Sequence, residues 1–184
     1  RVFPNINIIN ITDNIMAEHF AEVSANSGST NYFRLERQPF PLLYSAETDF
    51  SKGLCKPIEA KDFFIITTGI MAHTAKQIIA NFQKKNINIG LIDIFKFPVN
   101  SPEFLKHIET AKKIVSIEEH FLTGGLGSAL LEIFNENQID IPLKRIGISR
   151  ESGYCYKYGG RAEIRKYYKL DDITIEKTIA EFLK

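Results

Sequence analysis

Ile117-Glu118-Glu119-His120-Phe121-Leu122-Thr123-Gly124-Gly125-Leu126-Gly127-Ser128-Ala129 passes from an apolar strand, through charged residues and glycines, into an amphipathic helix. The order is strand, special turn, helix. Glycine belongs where a side chain would obstruct a positive φ or a close backbone approach, and the first N–H groups of the following helix point back at the turn. Such a turn is either a ligand site or a tight corner of the fold.

Outward from this turn the same rhythm repeats. Lys113 to Glu118 reads as the strand entering it and Ser128 to Asn135 as the helix leaving it. Upstream, Phe63-Phe64-Ile65-Ile66 is a buried strand, Thr67-Thr68-Gly69 a turn, and Met71 to Lys85 a helix with Ala75, Ile78, Ile79 and Phe82 on one stripe. Asn88 to Ile94 is the next strand, and Ser101-Pro102-Glu103 starts a helix through Thr110. Downstream, Pro142 to Ile148 is a strand, and Arg161 to Tyr168 and Asp172 to Leu183 are closing helices, the last with Ile175, Ile179 and Phe182 on one face. Strands alternating with helices predict an α/β fold with a largely parallel sheet covered on both faces.

The first third of the chain is a different piece. Ile6 to Asn10 reads as a strand, and Thr12 or Asp13 caps a helix carrying Ile15, Met16, Phe20 and Val23, with a stop at Asn26-Ser27-Gly28-Ser29. A short strand, Asn31 to Leu35, follows. The prolines of Arg37-Gln38-Pro39-Phe40-Pro41-Leu42-Leu43-Tyr44 argue against a central strand, and Ser45 to Gly53 is a polar connector. A domain boundary is expected here.

The 184 residues suffice for one good-sized domain, or one domain carrying part of another. With 23 Lys and Arg against 22 acids the formal net charge is +1, so no overall field points to nucleic acid or to a membrane surface. Cys55 and Cys155 lie far apart without ligand spacing, as free thiols of a reducing compartment would. No apolar run reaches the roughly 20 residues that cross a bilayer, and no signal-peptide pattern opens the chain, so a cytoplasmic location is expected. Arg1-Val2-Phe3-Pro4-Asn5 leads straight into a strand without an initiator methionine, as in a processed product or a piece of something longer.

Arg34-Leu35-Glu36-Arg37-Gln38, Thr68-Gly69 before a helix, Asn88-Ile89-Gly90-Leu91-Ile92-Asp93-Ile94-Phe95, and Ile117-Glu118-Glu119-His120 with its Gly-Gly-Leu-Gly, in this order and spacing, resemble the transketolase family over nearly the whole chain. The relatives 1-deoxyxylulose-5-phosphate synthase and the β subunits of 2-oxo acid dehydrogenases share the pattern, but Leu35-Glu36-Arg37-Gln38 is more similar to sugar transketolases. The resemblance implies that residues 1–45 are the end of a pyrimidine-binding domain, 46–60 a linker, and 61–184 a C-terminal domain. That domain would be a three-layer α/β/α sandwich with a mainly parallel five-stranded sheet and one antiparallel strand. For the complete enzyme it implies thiamine diphosphate and Mg2+, a sugar phosphate substrate, transfer of a two-carbon ketol unit, and a homodimer or a complementary N-terminal subunit. The family's Gly-Asp-Gly cofactor motif is absent, as is the stretch expected to carry the glutamate that activates the aminopyrimidine. The chain is therefore expected to bind no cofactor or metal and to be inactive by itself.

Among single residues, Arg37 matches the arginine with which transketolases hold a substrate phosphate, and a planar guanidinium fork suits that task. Glu36 stands before it where sugar transketolases often show Ser. An exposed loop arginine is otherwise usually just solvated. Arg34, on a strand, reads as a structural ion pair. His120 has the chemistry of a general acid or base, but the resemblance implies a packed corner near the neighbouring domain, with Glu118 and Glu119 as its polar partners. His19, His73 and His107 lie on separate helices without ligand spacing.

Gly124, Gly125 and Gly127 lack both GxGxxG spacing and a phosphate-loop lysine, so they and Thr68-Gly69 read as architectural, although a helix N-terminus can hold an anion. Tyr154, Tyr156 and Tyr158, followed by Gly159 and Gly160, are either a ligand lid or an interface surface. Three functions stay open on these grounds: part of an enzyme, an assembly or regulatory domain, and a small-molecule sensor using the strand-end crevice.

Overall fold

The computed structural model describes residues 1–38 and 40–184. Pro39, one of the prolines expected to keep residues 37–44 out of a strand, lies outside them. Two sheets form. The smaller is built from β1 (Ile6–Asn10), β2 (Thr30–Arg34) and β6 (Lys96–Phe97), in the order β2-β1-β6. The larger has the order β3-β5-β4-β7-β8, from β3 (Leu54–Ile58), β4 (Phe63–Thr67), β5 (Gly90–Ile94), β7 (Lys113–Phe121) and β8 (Leu143–Ile148). β3 runs antiparallel to β5 and the other neighbours are parallel.

Both faces of the large sheet are covered, as a parallel sheet requires. On one face α2 (Met71–Gln83) and α6 (Asp172–Leu183) bury Ile78, Ile79, Phe82, Ile175 and Ile179 against Ile65, Leu91, Val115 and Ile117. On the other, α3 (Ser101–His107) and α4 (Leu126–Glu136) bury Phe104, Leu130, Ile133 and Phe134 against Phe64, Ile66, Ile92 and Ile114. This is the expected three-layer sandwich. Alternate residues of a strand face opposite layers, which is why neighbours such as Ile65 and Ile66 divide between the two cores.

Several boundaries differ from the sequence expectation. β7 runs past Glu118 to Phe121 and α3 stops at His107, whereas of the two caps expected for α1 (Asn14–Ala25) Asp13 is the one used, its carboxylate accepting from the Met16 amide. Two strands had not been located, β3, which is the antiparallel strand the resemblance implied, and β6. β3 lies within the expected linker and carries Pro57, which a central strand excludes. Here it is tolerated because β3 is the sheet edge, with its register shifted between Cys55 and Ile58. β6 has two residues, too few for any periodicity, yet it leaves the end of β5 and pairs with Ile8 and Ile9 of β1, tying the first segment to the sandwich.

The seam between the two pieces holds a buried polar group that sequence reading passed over. Asp93, fully buried on β5, accepts from Thr12 Oγ1 at 2.6 Å and from the Tyr44 hydroxyl at 2.8 Å, both through Oδ2. Its Oδ1 has no partner among the described residues. Burial pushes the Asp93 carboxyl up to about 7, opposed by the Thr12 and Tyr44 hydrogen bonds; the same burial raises the Tyr44 hydroxyl and lifts the Cys55 thiol to about 12.

An unfolded aspartate ionises near pH 4. Because the folded value is higher, the contribution is fully present below that pH and is lost as the pH rises towards 7. Asp93→Asn keeps an acceptor for both hydroxyls and removes the charge. Urea denaturation is expected to find the variant more stable than the parent at pH 8, with the advantage gone at pH 4. An equal difference at both pH values would contradict a buried, titrating Asp93.

Candidate functional site

The opening turn is built around a carboxylate of its own chain. Glu118, near the end of β7, is completely buried. Its Oε2 accepts from the Leu126 amide at 2.7 Å and its Oε1 from the Gly127 amide at 3.0 Å, so it occupies the N-terminus of α4. An anion there satisfies unpaired N–H groups and opposes the helix dipole. Gly125 is required because a Cβ would sit 1.9 Å from Glu118 Oε2; at Gly124 the backbone has φ +75, which favours glycine. The turn is therefore filled from within and offers no free phosphate cradle.

His120 is fixed by the same carboxylate. Its Nε2 lies 2.7 Å from Glu118 Oε2, and its Nδ1 lies 3.4 Å from Nη1 of Arg34. A guanidinium can only donate, so Nδ1 accepts and the proton sits on Nε2, facing Glu118. Both ring nitrogens are thus engaged. Glu119, expected beside His120, is instead gripped by Arg161: Nε to Oε1 at 2.9 Å and Nη2 to Oε2 at 2.6 Å, a bidentate pair. Arg161 Nη1 reaches on to Glu36 Oε2 at 3.0 Å, and Arg34 Nη2 approaches Glu119 Oε2 at 3.9 Å. The hydrogen bonds that Arg161 donates to Glu119, and then that to Glu36, hold its guanidinium pKa above its ordinary value.

These charges line an open groove of about 460 Å³ at the seam. Arg34 ends β2, and Glu36, Arg37 and Gln38 follow it; Glu119 and Ile148 lie towards the C-terminal ends of β7 and β8; Arg161, Ile164 and Arg165 come from α5 (Arg161–Tyr167), with Tyr168 and Leu170 beyond it. Its place beyond the carboxyl ends of parallel strands is where open α/β sheets commonly take ligands. Arg165 is used internally, bonded to Thr74, Asp172 and the Leu170 carbonyl. Arg37 is exposed and makes no ion pair among the described residues. Among the described residues, the groove's other arginines, Arg34, Arg161 and Arg165, each have a carboxylate within 4 Å.

The remaining histidines stay apart. His73 touches the Thr12 carbonyl at 2.9 Å, His19 packs on Phe20 and Phe50, and His107 lies 3.6 Å from Glu103. Among the described residues no three His, Cys, Asp or Glu converge on a metal position, and no helix is long and apolar enough to cross a membrane. Cys55 and Cys155 are free thiols. Tyr154, Tyr156 and Tyr158 stand 75, 90 and 106% exposed just before α5. Sequence reading found Arg37, Arg34 and the Glu118-Glu119-His120 corner. It missed Arg161, whose only signal was a guanidinium directly after Gly159-Gly160 at the head of a helix.

Residues 56–175 match the family described as transketolase, C-terminal domain. The chain belongs to the transketolase family. It is 30% identical to one of the subunits of the apulose-4-phosphate transketolase of Phocaeicola vulgatus, covering 100% of this chain and 58% of that protein. It is 28% identical to a 1-deoxy-D-xylulose-5-phosphate synthase of Syntrophus aciditrophicus, covering 94% of this chain and 27% of that enzyme. Among solved structures, a split gene transketolase described as an inactive beta4 tetramer superimposes with a TM-score of 0.85 at 23% identity, over 98% of this chain and 58% of that one. The transketolase of Campylobacter jejuni does so with a TM-score of 0.76 at 13% identity, over 98% and 27%. This transketolase-family chain thus spans only part of the length of each of these relatives.

Proposed function

We propose that the chain is the C-terminal section of a transketolase-type enzyme that moves a two-carbon ketol unit between sugar phosphates, acting with an N-terminal portion that carries the cofactor site. The observation that carries this is the pairing of a five-stranded sandwich with a second, three-stranded sheet, in a family member that covers 58% of a relative named as one subunit of a transketolase. Residues 1–45 then belong to the pyrimidine-binding domain and 61–184 to the C-terminal domain, in a cytoplasmic enzyme.

Thiamine diphosphate would supply the carbanion chemistry in the complete enzyme. The head of α4 does not fit its diphosphate, because the anion position there is taken by Glu118. What these residues do is hold and orient. Arg37 offers its guanidinium fork to the phosphate of the acceptor sugar, while His120, Glu118 and Arg34 fix the corner against which the N-terminal piece is seated. Tyr154, Tyr156 and Tyr158 give an aromatic surface suited to a protein partner.

Complementation is the experiment. Mixing the chain with a transketolase-type N-terminal portion should give cofactor-dependent ketol transfer that neither half has by itself. A second reading, a non-catalytic assembly domain, draws on the likeness to the inactive beta4 tetramer. It predicts a homo-oligomer in sedimentation that gains no activity from any N-terminal portion.

A further inference from the structure

Arg37 sits on a segment that a different part of the chain holds from both sides. Before it, Glu36 receives Nη1 of Arg161 at 3.0 Å. After it, the Phe40 ring lies under the same guanidinium, 6.0 Å from its carbon, and stacks on His73 at 5.3 Å with an interplanar angle of 17°. Arg161 itself is anchored in two places to Glu119 of β7. A planar guanidinium can serve a bidentate carboxylate, a second carboxylate and an aromatic face together, which a lysine ammonium cannot.

The charge arithmetic gives this clamp a purpose. A carboxylate beside Arg37 would repel an incoming phosphate dianion and compete for the Arg37 guanidinium. With Arg161 paired to it, Glu36 is turned into the seam and neutralised, leaving Arg37 exposed towards the groove. We propose that Arg161 is the positioning residue for Arg37: it engages Glu36 before it and Phe40 after it, cancels the Glu36 charge, and so sets the preference for a phosphorylated acceptor. This rests on the proposed reading of Arg37 as the substrate contact.

Two measurements test it. Hydrogen exchange on the chain should show faster exchange across residues 35–43 in Arg161→Ala, with Arg161→Lys between the two and the α6 peptides unchanged. In the complemented enzyme, Arg161→Ala should raise KM for a phosphorylated acceptor about tenfold, the size of one charge-assisted hydrogen bond, with kcat and the unphosphorylated acceptor little altered. Adding Glu36→Ser to Arg161→Ala should recover most of that loss, because the uncompensated carboxylate is then gone. Unchanged exchange, equal losses for both acceptors, or purely additive effects of the two substitutions would overturn the proposal. A parent enzyme that shows no preference for phosphorylated acceptors would instead overturn the reading of Arg37.

Discussion

Glu118→Ala is expected to remove about 2–6 kcal/mol of folding stability, from two buried amide donors left unsatisfied at about 1–3 kcal/mol each. The substitution leaves the Leu126 and Gly127 amides without their acceptor, where the fully buried Glu118 side chain had met them, and the partly exposed His120 without its anchor. Water does not reach the buried carboxylate position, so the desolvation penalty of the two orphaned amides is felt, while solvent can take over part of the His120 contact. A domain of this kind has a total stability of roughly 5–15 kcal/mol, so the variant should be largely unfolded in mild urea. Glu118→Gln keeps one carbonyl oxygen for the helix and should lose less. Urea denaturation checks both, and a loss below about 1 kcal/mol for Glu118→Ala would mean that the carboxylate does not hold the turn.

Arg37→Ala is the second large effect, and it falls on function instead of stability. Arg37 is exposed and engages no ion pair among the described residues, so its removal should leave denaturation curves unchanged. In the complemented enzyme the loss of a bidentate guanidinium–phosphate contact should lower kcat/KM for a phosphorylated acceptor about 100-fold. The unphosphorylated acceptor should be nearly unaffected. Steady-state kinetics with the two acceptors decides, and equal losses for both would remove Arg37 from the substrate contact.

The sandwich was legible because its strands and helices each carry a periodic pattern long enough to read. Phe63 to Thr67 and Met71 to Gln83 announce their own faces through apolar spacing alone. β3 and β6 were not legible, for opposite reasons. Pro57 argues against a strand unless it is known that the strand is an edge, and two residues of β6 acquire meaning only from their partner Ile8–Ile9. Both facts are tertiary.

The site divides the same way. Gly124 and Gly125 pointed correctly to a special turn, but only the structure shows that its occupant is Glu118 and not a ligand. Arg37 could be named from a local segment. Arg161, 125 residues after Glu36, could not, because nothing in a chain's order reveals that the head of a distant helix meets this loop. Asp93 was likewise hidden: one aspartate in an apolar strand gives no hint that Thr12 and Tyr44 will close over it.

On the proposed reading, this chain completes an enzyme whose cofactor site lies elsewhere. The most direct test titrates the chain into a transketolase-type N-terminal portion with thiamine diphosphate and Mg2+ and follows ketol transfer from a ketose phosphate to an aldose phosphate. The expected result is activity that is absent from either half and rises to saturation at equal amounts of the two. Full activity of the N-terminal portion without the chain, or a stable complex of the two that transfers nothing, would contradict it.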